Sequence, residues 1–203
     1  MIKNELSERI LTELEWLDDI APSYGSLEYI ANKLGAELHN GATRWAFVFK
    51  KHRIVFKFPR FNRTDLDYCE IELNNYNIAK EYRVERALLP LEFMGKTSCG
   101  LPIYCQPMYT KSYGDTHYKE IHILERKMGQ LTRSSTIDKI QEGMYSSPSR
   151  IWTARATQIY GKAFMKSFEA WSHRCEINDL HSGNIGWLGK MHIIIDYAGY
   201  RNE

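Results

Sequence analysis

The stretch 37–58 constrains this chain more than any other. Trp45, Phe47 and Phe49 alternate with Ala46 and Val48, and Ile54, Val55, Phe56 and Phe58 form a second run that ends at Pro59. A period of two sends successive side chains to opposite faces of a sheet, and aromatic and β-branched residues suit a pleated backbone. Residues 50–53 are a polar connection of hairpin length, and Asn40-Gly41 marks a tight turn upstream. The stretch therefore predicts strand, glycine turn, strand, hairpin, strand.

Helical periodicity flanks it. Leu6, Ile10, Leu14 and Leu17 recur at spacings of four, four and three. A second helix is expected after Ser26 as its cap, with Leu27, Ile30 and Leu34 on one face and Gly35 as its stop. Both helices are expected to pack on the lobe that follows. Residues 67–82 predict a helix with Ile71, Ile78 and Ala79 as its apolar positions. Residues 88–94 and 101–108 predict two more strands around a turn at 95–100.

Farther on, 117–128 predicts a helix between serine-bearing loops. A long helix is expected over 150–173, with Trp152, Ala156, Ile159, Ala163 and Phe164 on one face, continued by Phe168 and Trp171. A polar loop and a small hairpin ending in Asp196 complete the chain. The expected class is α+β: helices over 1–35, then three strands, a helix and two strands over 36–109, then a mainly helical stretch over 110–203.

With 43% hydrophobic residues the chain can bury a core. Lys plus Arg number 27 against 25 Asp plus Glu, for a formal charge of +2, so no global field favours nucleic acid. The basic run at 50–53, with Lys57 and Arg60 beyond it, reads as a solvated hairpin. Cys69, Cys99, Cys105 and Cys175 contain no C-x-x-C pair, and the acidic first residues exclude a secretory leader, so four reduced thiols in the cytoplasm are expected. No apolar run is long enough to span a membrane.

The sharpest local signal is C-terminal: Asn178-Asp179-Leu180-His181-Ser182-Gly183-Asn184, then Ile193-Ile194-Ile195-Asp196-Tyr197-Ala198. Asp179 and Asn184 stand five residues apart, and Asp196 follows an apolar strand across a hairpin. This arrangement resembles the catalytic and metal-binding loops of protein kinases and their relatives. The resemblance covers roughly residues 35–200 and implies a kinase-like two-lobed α+β fold, with a five-stranded antiparallel lobe over 36–109 and a reduced helical lobe over 110–203, and with ATP and Mg²⁺ as cofactors. Phosphoryl transfer asks the protein for positioning and charge neutralisation, and Mg²⁺ takes hard oxygen ligands. The resemblance gives Asn184 and Asp196 to the metal and Asp179 to the acceptor hydroxyl.

It also implies a lysine on the third strand and a glutamate on the next helix. Lys57 within Val55-Phe56-Lys57-Phe58 fits the first, as the residue that would hold the α- and β-phosphates. Glu72 is the preferred partner, because Tyr76-Asn77-Ile78 follows it, with Glu70 as the alternative. The adenine is expected near Gln106-Pro107-Met108-Tyr109, with Met108 in the hinge.

The glycine loop departs from the family. His39-Asn40-Gly41-Ala42-Thr43-Arg44 holds a single glycine, so Gly41 and Thr43 are the phosphate-facing candidates, and an ordinary Asn-Gly hairpin is the competing reading. D-L-H-x-x-N is similar to small-molecule phosphotransferases of the aminoglycoside type and to bacterial and bacteriophage protein kinases. It makes His181 a candidate for phosphate or the magnesium shell. Seven residues follow Asp196, so no activation segment is expected in this sequence. The expected function is a small Ser/Thr protein kinase with a protein acceptor. A small-molecule kinase and a non-catalytic kinase-like binding module are the alternatives.

Overall fold

In the computed structural model, the structure describes residues 2–111, 157, 159–177, 184–188 and 191–198. The chain is α+β, with four α-helices among the described residues and a five-stranded antiparallel sheet. It divides into two compact units, residues 1–74 with 90–108, and residues 75–89 with 109–203.

The first unit opens with α1 (Ile2–Glu15) and α2 (Tyr24–Leu34). Leu6, Ile10 and Leu14 are buried on α1, as their spacing predicts, and Leu17 is half-buried. The cap of α2 differs from expectation. Ser23 is the N-cap, and its hydroxyl accepts from the Ser26 N–H at 3.2 Å, so the helix starts earlier. An N-cap needs extended backbone, and Ser23 has it (φ −70°, ψ 157°). Gly35 ends α2 with φ +72°, a left-handed conformation open to glycine at little cost.

Five strands follow: β1 (Glu37–Asn40), β2 (Arg44–Phe49), β3 (Ile54–Pro59), β4 (Glu92–Lys96) and β5 (Pro102–Pro107), in spatial order β1-β2-β3-β5-β4. The predicted strand at 88–94 is shifted: Leu88 and Leu89 belong to the second unit, and β4 runs on through Gly95, where its register slips. Alternation sorts the two faces. Trp45, Phe47, Phe49, Phe56, Phe58, Ile103 and Cys105 join Leu6, Ile10, Leu14, Leu27, Ile30 and Leu34 in one core. The two N-terminal helices thus cover one face of the sheet. Each buried Phe there contributes about 1.5–3 kcal/mol, and Phe47 meets Phe58 edge-on at 5.0 Å.

Helix α3 (Tyr68–Glu81) starts at Asp67, whose Oδ1 accepts from the N–H of Cys69 (2.8 Å) and of Glu70 (3.0 Å). Its buried stripe matches the predicted one only at Ala79. Cys69, Glu72, Asn75 and Ala79 are buried, whereas Ile71 and Ile78 are only half-buried.

The second unit holds the end of α3, helix α4 (Lys162–Arg174) and a three-stranded sheet of β6 (Thr110–Lys111), β7 (Ile185–Leu188) and β8 (Met191–Ile194). The predicted long helix is interrupted. Thr157, Ile159 and Tyr160 are helical, Gly161 breaks the path with φ +89°, and α4 restarts after it. Phe164, Phe168 and Trp171 are buried as expected, but Ile159 and Ala163 are exposed. Trp152 and Ala156, and the helix expected at 117–128, lie outside the described residues. Gly186 has no room for a side chain, because a Cβ there would lie 2.9 Å from both Ile195 Cγ2 and Tyr109 Cδ2. No described helix is long and apolar enough to cross a membrane.

All four cysteines are free thiols. Burial pushes the Cys69 thiol far up and the Cys105 thiol up to about 11, so neither is a nucleophile near neutral pH. Brief iodoacetamide treatment of the native protein is expected to alkylate the half-buried Cys99 first and to spare Cys69 and Cys105 until urea unfolds the chain. Peptide mass mapping checks this, and early labelling of Cys69 would contradict the burial.

Candidate functional site

Two clusters carry the predicted residues, one in each unit. The first is an ion-pair node on the sheet face opposite the aromatic core. Ala46 pairs with Lys57 in the β2–β3 register, and Lys57 pairs with Tyr104 in the β3–β5 register. Lys57 Nζ lies 3.2 Å from Glu72 Oε2 and 3.4 Å from Oε1. Glu72 is fully buried, and the lysine side chain is only 11% exposed. Of the two predicted partners the structure brings Glu72 to Lys57, while Glu70 is exposed.

The node contains a residue that the sequence reading missed. Arg44 Nη1 donates to Glu72 Oε2 at 2.6 Å, closer than the lysine. Arg44 lies on β2 two residues before Ala46, so alternation puts it on the face of Lys57. That signal was available once the register of the hairpin was known. Buried charges persist only when paired and hydrogen-bonded, and here one carboxylate serves two cations.

Tyr104 extends the polar character of this face. Its hydroxyl donates to Asp67 Oδ2 at 2.6 Å, and burial together with that carboxylate holds the phenol well above its usual range. The tyrosine is therefore a neutral donor that fixes the cap of α3, the helix that carries Glu72.

The loop candidates are engaged within the protein. The Gly41 N–H donates to the Arg44 carbonyl at 2.8 Å, and the Gly41 carbonyl accepts from Arg60 Nη1 at 3.0 Å. Thr43 Oγ1 accepts from Arg44 Nε at 3.4 Å. The loop is thus tied to Arg44 and through it to Glu72. In the predicted hinge, the Met108 N–H donates to the Arg53 carbonyl at 2.8 Å.

The second cluster lies on the β7–β8 hairpin. Ile185 pairs with Ile194, and just before that pair the Asn184 carbonyl accepts from the Ile195 N–H at 2.8 Å. Asn184 therefore stands across the hairpin from the residue that precedes Asp196. Asn184 and Asp196 are both half-buried. Tyr197, fully buried, anchors the other side of Asp196. Its hydroxyl donates to the Leu89 carbonyl at 2.5 Å, and its own carbonyl accepts from Asn75 Nδ2 at 2.8 Å. Trp171 Nε1 donates to the Asn75 carbonyl at 3.0 Å. Asp196 thus sits on a backbone fixed on both flanks.

An amide oxygen and a carboxylate across one hairpin are hard ligands of the kind Mg²⁺ takes while keeping several waters. Among the described residues, no group of three or more His, Cys, Asp or Glu could hold a metal ion. Asp179 and His181 lie outside the described residues. Comparison of the chain with protein-family models, with curated proteins and with solved structures finds no match.

Proposed function

We propose that this chain is an ATP- and Mg²⁺-dependent phosphotransferase with a protein-kinase-like two-lobed fold, acting on a Ser or Thr hydroxyl of a protein. The observation that carries the reading is the buried contact of Lys57 on β3 with Glu72 on the helix that follows. A lysine on a core strand needs a carboxylate, and one so held presents its charge in a fixed place to a phosphate. The Asn184–Asp196 hairpin, met in the order Asp179, Asn184, Asp196, is the second support.

In this reading Lys57 holds the α- and β-phosphates and Glu72 keeps Lys57 in place. Asn184 and Asp196 hold the metal, and Asp179 orients the acceptor hydroxyl and takes its proton. Bound Mg²⁺ neutralises phosphate charge. Tyr197 and Asn75 act through Asp196, by fixing its backbone.

A second reading, a kinase-like binding module without turnover, is favoured by the loop, where the Gly41 N–H is already donated to Arg44. Radiolabelled ATP with Mg²⁺, offered with a cell lysate and with small-molecule alcohols, separates these. Label on protein supports the proposal, label on the small molecules moves the acceptor class, and binding without transfer supports the module. In the same assay Asp196→Ala is expected to remove the Mg²⁺ dependence of nucleotide affinity. An unchanged dissociation constant would count against the metal assignment.

A further inference from the structure

The turn that leaves α1 carries a large apolar side chain that the core does not take up. Trp16 is 83% exposed, and Tyr29 on α2 is 69% exposed, whereas Trp45 and Trp171 are buried. Both rings stand on anchored backbone of the first unit. Glu15 accepts from the Ser98 N–H at 2.7 Å and from the Ser98 hydroxyl, which pins the end of α1 to the turn between β4 and β5. Glu13 pairs with Lys33 at 2.7 Å, one turn before Trp16 and one turn after Tyr29, so one ion pair joins the two turns that carry the rings. A large aromatic side chain on a fixed backbone gives up little conformational freedom when a partner covers it, and such side chains dominate interface energetics.

Charge identifies the kind of partner. The stretch 10–32 holds five Asp or Glu and no Lys or Arg. Residues 1–36 carry three Lys or Arg against seven Asp or Glu, and the rest of the chain carries 24 against 18. Beside Trp16, Glu15, Asp18 and Asp19 are exposed. Carboxylates around an indole repel nucleic-acid phosphates and anionic lipid headgroups, and they attract cations. Arginine answers both features at once, because its guanidinium stacks on an aromatic face and pairs with a carboxylate.

We propose that Trp16, Asp18 and Asp19 form a docking surface for an arginine-bearing basic segment of a partner protein. An arginine lies over the Trp16 ring, the two aspartates pair with it and with its basic neighbours, and Tyr29 extends the apolar contact. The surface belongs to the N-terminal helices and does not depend on the phosphotransferase reading.

The test follows the fluorescence anisotropy of a labelled dodecapeptide of alternating Arg and Leu at about 50 and about 500 mM salt, beside peptides with Lys or Glu in place of Arg. Wild type is expected to bind the Arg peptide, less tightly at the higher salt, to bind the Lys peptide more weakly and to leave the Glu peptide free. Trp16→Ala is expected to weaken binding about thirty-fold, the scale of losing an interface anchor. Asp18→Asn combined with Asp19→Asn keeps the acceptor that Asp19 Oδ1 gives the Ala21 N–H, and is expected to weaken binding about ten-fold and flatten the salt dependence. Urea midpoints of both variants are expected at the wild-type value, since the side chains are exposed. The proposal is overturned by absence of Arg-peptide binding, by binding that neither variant alters, or by equal affinity for the Lys peptide. A lowered midpoint for Trp16→Ala overturns it too, by making the indole a packing residue. Peptide-free dimers seen in sedimentation and lost in Trp16→Ala would give the surface to a second copy. Retention on phosphatidylserine vesicles lost in the same variant would give it to a membrane. Either result overturns the basic partner.

Discussion

Glu72→Ala is expected to cost the protein about 3–5 kcal/mol of stability, the scale for removing one partner of a buried ion pair. The carboxylate is fully buried, and the cations it serves are nearly so, with side-chain exposures of 13% for Arg44 and 11% for Lys57. Truncation removes the acceptor shared by both at once. It also leaves a gap on α3 beside Cys69, in a domain whose whole stability is on the order of 5–15 kcal/mol. Glu72→Gln keeps the volume and isolates the charge. Glu70→Ala, exposed between the buried Cys69 and Glu72, is the control and is expected within about 0.5 kcal/mol of wild type. Urea unfolding with matched slopes measures all three. A loss below about 1 kcal/mol for Glu72→Ala would mean that the node is not a structural centre.

Asp179→Ala is expected to lower phosphoryl transfer by about 10²–10⁴-fold, the range for losing a positioned base. Nucleotide affinity is expected to stay near wild type, because the reading gives phosphate binding to Lys57 and the metal to Asn184 and Asp196. The two substitutions therefore separate cleanly: one acts on stability, the other on turnover in a folded protein. Transfer at the wild-type rate would remove Asp179 from the mechanism. Loss of ATP binding along with transfer would instead make it a binding residue.

Helix α3 is where sequence and structure part most clearly. Apolar periodicity points to Ile71, Ile78 and Ala79, yet the buried stripe runs through Cys69, Glu72, Asn75 and Ala79. Pattern reading counts hydrophobic residues, and this face is held by polar partners: Arg44 and Lys57 for Glu72, and the Tyr197 carbonyl for the Asn75 amide. Such partners come from strands and turns far along the chain, so no local window can display them. The same limit hid Arg44, which looks like a turn cation until the β2–β3 register sets it opposite Pro59. It also hid the break at Gly161, since a helical pattern tolerates a glycine, and only its φ of +89° ends the helix.

What the sequence determined by itself is local and periodic. The alternation at 45–58 set β2, β3 and their hairpin, because a two-residue period leaves one backbone that can bury Trp45, Phe47, Phe56 and Phe58 together. The spacing of Leu6, Ile10 and Leu14 set the buried face of α1 for the same reason. The order of Asp179, Asn184 and Asp196 was equally legible, as spacing along one chain. Tertiary structure alone decided which charges meet. Lys57 was visible as a lysine in an apolar strand and Glu72 as its preferred carboxylate over Glu70, but the contact itself and the second cation on that carboxylate follow from strand register and helix packing. A buried charge or amide is defined by what surrounds it, and those surroundings are assembled only when distant segments fold together.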